Sequence, residues 1–69
     1  MPLALLQAGE KSTVKKISGK DDTKRFLESL GFVEGCEVKV ISEHEENMIL
    51  HVKDTRIALD KNIARRIVV

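Results

Sequence analysis

The sequence predicts a mainly β domain closed on one side by a single short helix, and three observations lead there. Residues 21–30 form the one segment with helical apolar spacing, carried by Phe26, Leu27 and Leu30. From Cys36 onward the pattern changes to period two, with Cys36, Val38 and Val40, then Met48, Leu50 and Val52, alternating with more polar neighbours. The connections between these segments are brief, with no repeat, low-complexity stretch or linker. A lone amphipathic helix of this length is not stable in water, so it must cover a sheet.

Each element follows from its residues. Residues 1–8 carry Leu3, Leu5 and Leu6 before a stop at Gly9. Leu3 and Leu6 fit one helical turn laid over the core, or an apolar clasp closing one end. Residues 13–17 read as a strand through Thr13, Val14 and Ile17, and 18–20 as a turn. Asp21 or Asp22 caps the helix by accepting its unpaired N–H groups, where a negative charge suits the helix dipole. Gly31 can take the left-handed conformation that ends a helix, with Phe32 packing back onto the last turn. Residues 36–41 form a strand wet on one face, 42–47 a polar acidic loop, and 48–53 the returning strand. Asp54 and Thr55 sit where a tight hairpin would turn, without the glycine such turns prefer. Residues 56–59 make another strand, 60–64 one capped helical turn, and 66–69 the last strand. Short strands close most readily into a barrel, which removes open edges. The predicted architecture is a small five-stranded SH3-like barrel, with one short α-helix inserted between strands 1 and 2 and a helical turn before the last strand.

The chain has 69 residues, 42% hydrophobic and 33% charged, as expected of one small globular domain over 1–69. It has no Trp or Tyr, and Phe26 and Phe32 are its only aromatic residues, so the core must be aliphatic. The net charge of +1 gives no strong pull toward nucleic acid or membrane. A single cysteine, Cys36, cannot form an internal disulfide, which fits a reducing compartment. With no signal-like start and no apolar stretch of about 20 residues, the expected location is the cytoplasm, without membrane insertion.

Catalysis is not expected. No Ser–His–Asp set, glycine-rich phosphate loop or Cys-x-x-Cys pair can be assembled, and a barrel this small is filled by its own side chains. A structural zinc site needs about four Cys or His ligands, which the chain cannot supply. The nearest thing to a metal site is His44 among Glu43, Glu45 and Glu46, able to make at most a weak contact with Fe2+ or Mn2+; an exposed hairpin tip kept soluble by charge explains the same residues. Cys36 reads as a small core residue and His51 as an exposed strand residue. Lys11, Lys15, Lys16, Lys20, Lys24 and Arg25 crowd the first third, with Glu34, Glu37, Glu43, Glu45 and Glu46 following. Such a division suits docking on a charged partner, with Lys15, Lys16, Lys24 and Arg25 as candidates, although ordinary surface charge gives the same count. Without Trp or Tyr the chain cannot line a proline-peptide groove or a base-stacking groove, so nucleic acid is not an expected ligand.

Leu3-x-x-Leu6-x-x-Gly9, Val14 and Ile17, Leu27-x-x-Leu30-Gly31-Phe32-x-x-Gly35, Ala58-Leu59 and Ala64-x-x-Ile67-x-Val69 together resemble the ferrous iron transport protein A (FeoA) family. The domain is also similar to the C-terminal module of iron- and manganese-dependent repressors. The resemblance implies a small cytosolic accessory or regulatory protein of ferrous iron uptake, without enzyme activity. Its implied partner is the membrane iron transporter with a GTP-binding domain (FeoB). Asp60 stands where the family often has a basic residue, and residues 42–47 replace a Pro/Gly-rich loop. Three further readings follow: an arginine (Arg25, Arg56, Arg65 or Arg66) supplied to a partner's GTP site, a direct metal sensor at His44, and a detached repressor-like regulatory module. The oligomeric state is not legible.

Overall fold

Six strands in two antiparallel sheets make up the computed structural model, which describes every residue except Lys20. Strands β1 (Lys11–Thr13), β3 (Glu37–His44), β4 (Asn47–Val52) and β5 (Thr55–Asp60) form one sheet in the order β1-β3-β4-β5. Strand β2 (Lys16–Ile17) pairs with β6 (Ile67–Val68). Helix α1 (Asp22–Ser29) joins β2 to β3, and the one-turn helix α2 (Lys61–Ala64) joins β5 to β6. Residue 20, included above in the turn and in the basic run, lies outside the described residues.

The expected five strands in one closed barrel are therefore replaced by six strands in two sheets, and α1 follows the second strand. The physical reason lies in residues 13–17. Val14 and Ile17 are both buried, yet they are an odd number of positions apart. A continuous strand would send them to opposite faces. The chain instead changes sheets between Val14, whose N–H donates to the Cys36 carbonyl (2.8 Å), and Lys15, whose N–H donates to the Val68 carbonyl (2.7 Å).

Helix α1 begins on Asp21, whose carboxylate accepts the Lys24 N–H at 3.4 Å. It ends in a Schellman arrangement: Phe32 N–H donates to the Leu27 carbonyl and Gly31 N–H to that of Glu28, both at 3.1 Å, with Gly31 at φ +110°. Leu27 and Phe32 are fully buried at this closure. Phe26, expected on the same stripe, is 52% exposed. The closure fixes Leu27 inward, and Phe26, about 100° away around the helix, turns outward. The inward stripe is Thr23, Leu27 and Leu30, with Thr23 and Leu30 half-buried.

The β3–β4 hairpin is longer than expected. Residues 42–47 are not a loop: Ser42 pairs with Ile49, Glu43 with Met48 and His44 with Asn47, leaving Glu45 and Glu46 as the turn. Ile41 is an extra residue between the Val40–Leu50 and Ser42–Ile49 pairs, a bulge that bends the strand. The second hairpin turns at Lys53 and Asp54, one residue earlier than expected, with both at positive φ (49° and 60°) as a type I′ turn requires. Cys36 lies just ahead of β3 and is only half-buried, so it is not the core residue expected.

Val38, Val40, Met48, Leu50 and Val52 face the core from the larger sheet, with Leu3, Ile67 and Val69 closing the opposite side. The N-terminal segment makes a 3-10 turn at Leu3–Leu5 and bridges Pro2 to Val68, which seats Leu3 and Leu6 inside and leaves Leu5 exposed. No polar or charged side chain is buried among the described residues, so any functional chemistry lies on the surface.

Candidate functional site

The larger sheet turns one face to the core and the other to water. Val38, Val40, Leu50 and Val52 are inward, so the alternate positions of β3 and β4 are outward. Strand register then lines up one outward residue from each strand. Lys11 of β1 is opposite Lys39 of β3, Lys39 is opposite His51 of β4, and His51 is opposite Arg56 of β5. All four are exposed. At about 4.8 Å per strand, the row crosses about 14 Å of sheet.

At the next outward position along the strands, two residues on, lies an apolar row. Ile49 pairs with Ala58, and the Ile41 bulge sits beside Ser42; Ile41 and Ile49 are half-buried. Along the basic row lies a shallow depression of about 380 Å³ lined by Lys39, His51 and Arg56 of that row, with Gly9, Val40 and Ile41. On the other side of the basic row lie Thr13 and Glu37, which are paired with each other.

The cations of this row are unengaged. Among the described residues the ion pairs are Arg25–Asp22 (3.8 Å), Lys61–Glu43 (3.8 Å) and Arg66–Asp21 (2.8 Å). Arg65 donates to the Asn62 amide oxygen at 3.1 Å. Arg56 is thus the one arginine with no side-chain partner among the described residues.

The metal candidates sit at the β3–β4 hairpin tip. His44, Glu45 and Glu46 are exposed around the turn, while Glu43 points toward α2 and pairs with Lys61. The Glu46 carbonyl accepts the Lys61 N–H at 2.7 Å, which holds the tip against the start of α2. Among the described residues no three His, Cys, Asp or Glu side chains converge as a metal would need.

The four basic docking candidates occupy different elements. Lys15 lies between β1 and β2 and Lys16 on β2, both exposed, whereas Lys24 and Arg25 lie on α1, with Lys24 half-buried. Arg66, just ahead of β6, ties these regions together: its Nη1 donates to both Asp21 carboxylate oxygens at 2.8 Å. This guanidinium holds the Asp21 carboxyl below its ordinary value, as does the hydrogen bond from the Lys24 backbone. The pair joins the start of the helix to the β2–β6 sheet.

Sequence reasoning placed His51 on the wet face but did not assemble the row. Alternation marks Lys39 and His51 as outward, yet their neighbours on β1 and β5 depend on register, which no local pattern states.

Comparisons with known proteins give the chain its relatives. A family model described as the FeoA domain matches residues 1–69. A Methanocaldococcus jannaschii protein provisionally named Fe(2+) transport protein A is 34% identical over 68 residues, covering 99% of this chain and 83% of that protein. Among solved structures, the FeoA of Stenotrophomonas maltophilia complexed with zinc, described as an SH3 domain protein, superposes with a TM-score of 0.89 at 31% identity, covering 99% of this chain and 87% of that one. A FeoA described as an iron uptake regulatory protein gives 0.90 at 29% identity, covering 97% and 91%. A manganese-dependent transcriptional repressor shares the fold (TM-score 0.87, 20% identity), with 97% of this chain matching 39% of the repressor. No helix among the described residues is long and apolar enough to cross a membrane. With a family model spanning its whole length and its fold shared with solved relatives, the chain belongs to the FeoA family, the small SH3-like proteins of ferrous iron transport.

Proposed function

We propose that this chain is a regulatory accessory protein that docks on the cytoplasmic GTP-binding part of a membrane ferrous iron transporter of the FeoB kind, without chemistry of its own. The family match over residues 1–69 carries this reading. The wholly apolar interior supports it, since buried, tuned acids and bases are what catalysis by a domain of this size would need. Docking then depends on surface shape and charge. The test is binding of the purified chain to the isolated cytosolic domain of such a transporter, with and without guanine nucleotide. Saturable binding is expected; none at tens of micromolar in either nucleotide state overturns the reading.

The relative complexed with zinc favours a second reading, in which the hairpin tip makes a weak divalent-metal contact through His44, Glu45 and Glu46. Glu43 is a poorer donor than its position suggests, because Lys61 already engages it.

A further inference from the structure

We propose that the row Lys11–Lys39–His51–Arg56, with Ile41 and Ile49 beside it, receives a short acidic segment of a partner protein bearing an aliphatic side chain next to its carboxylates. The inference deepens the docking reading above and rests on it, naming the surface and the chemistry of what it holds.

Folding gives no reason for this row. Like charges directly opposite each other on a sheet oppose its formation, yet Lys11 faces Lys39. Neither these lysines nor Arg56 has a compensating carboxylate among the ion pairs of the described residues. An arrangement unfavourable alone becomes favourable when an anion is supplied from outside. The half-buried Ile41 lines the depression, and Ile49, one outward position beyond His51 on β4, extends the apolar seat beside it.

The surroundings select the occupant. Cations are confined to a single row about 14 Å long, which matches about four residues of extended chain. Glu37 borders the row on one side, and Asp60 with the Glu45–Glu46 turn lies beyond the apolar row on the other. A continuous polyanion laid over this face would meet those carboxylates. Among the described residues the exposed Phe ring is Phe26, on α1, so the sheet face offers a base no Phe, Tyr or Trp platform and only His51 and Arg56 to stack on. A short segment with alternate Asp or Glu residues and one Leu or Ile satisfies both rows.

The experiment pairs two ligands with two variants of the full chain. The ligands are a synthetic peptide of alternating Glu and Ser around one Leu, and the transporter's cytosolic domain. The variants are Lys39→Glu/Arg56→Glu and, as a control that makes the same charge change at the rival docking candidates on and beside β2, Lys15→Glu/Lys16→Glu. Peptide titration should shift the amide resonances of Lys39, Ile49, His51 and Arg56 saturably. The sheet variant should weaken both ligands about tenfold or more, with the control within about twofold of wild type. Melting temperatures guard against misfolding, and Lys39→Glu should not lower its own, since it replaces a like-charged pair with Lys11. If wild type and sheet variant bind the transporter domain equally, this inference fails while the accessory reading stands. If the transporter domain is not bound and the peptide shifts nothing on the sheet, both fail. Tighter binding of an oligonucleotide than of the peptide, or a wild-type dimer dissolved by the sheet variant, also overturns the inference.

Discussion

Replacing Gly31 by alanine tests how α1 is stopped and how it is held to the sheet. Gly31 sits at φ +110°, beyond the left-handed helical well near about +57°. A Cβ-bearing residue in left-handed backbone costs about 1–2 kcal/mol, and this angle argues for the upper end. A Cβ would also lie 3.0 Å from Cγ of Lys53, whose side chain crosses the helix end from the β4–β5 turn. Moving that stem adds about 1 kcal/mol, at the lower end of overpacking penalties. Alanine stiffens the unfolded chain, which returns about 0.4–1 kcal/mol. The net loss is about 2 kcal/mol, or a fall in Tm of about 8–16 °C for a domain of this size. Urea unfolding followed by circular dichroism measures it directly. Gly35→Ala is the control, because it has a similar φ of +90° but nothing within 4 Å of the added Cβ. Its loss should be smaller. Adding Lys53→Ala to Gly31→Ala should recover part of the deficit, with a coupling of at least about 0.5 kcal/mol. If Gly31→Ala is as stable as wild type, or no worse than Gly35→Ala with zero coupling, the assigned helix stop is wrong.

Asp54→Gly should raise stability by about 0.5–1 kcal/mol in the same assay, because glycine at φ 60° in a type I′ turn removes a left-handed strain that exceeds its added chain entropy. The Asp21 carboxyl is held low by Arg66, so its contribution is full above the ordinary carboxylate pKa and disappears as pH falls through the lowered one. Acid unfolding should therefore cost wild type more stability than Asp21→Asn over that low-pH window, and parallel curves would show that the pair has no stabilising role. Titration with Fe2+ or Mn2+ while following the His44 ring signals should give no saturable response at micromolar metal, since among the described residues no three His, Cys, Asp or Glu side chains converge. A saturable shift abolished by His44→Ala would establish the metal-binding reading instead.

Where one face of a strand is wet, its residues were legible. Met48, Leu50 and Val52 are buried as their alternation requires, and the Leu27–Gly31–Phe32 closure follows from residue chemistry alone. Three of the features that were not legible show the physical reasons. The break at Val14–Lys15 depends on a second sheet supplying the Val68 carbonyl. Residues 42–47 read as loop by composition, but strand pairing tolerates charge where a hairpin projects into water, so β3 runs on to His44. Phe26 is turned outward because the Schellman closure commits Leu27 inward. The candidate site was the least legible part, since its four row residues come from four strands separated in sequence.

That dispersal ties the proposed docking surface to the core beneath it. Side chains on a strand alternate faces, so the packing of Val38, Val40, Leu50 and Val52 sets the register that aligns Lys39 with His51 on the other side. A one-residue slip of β4 would bury His51 and expose Leu50, and the apolar interior forbids it. The fully apolar core therefore has a second role besides stability: it positions charges that never touch it. Damage to the row can then arise in two ways, by changing a cation or by loosening an inward residue. Only the second lowers the melting temperature as well, so core variants that keep their register should keep their partner.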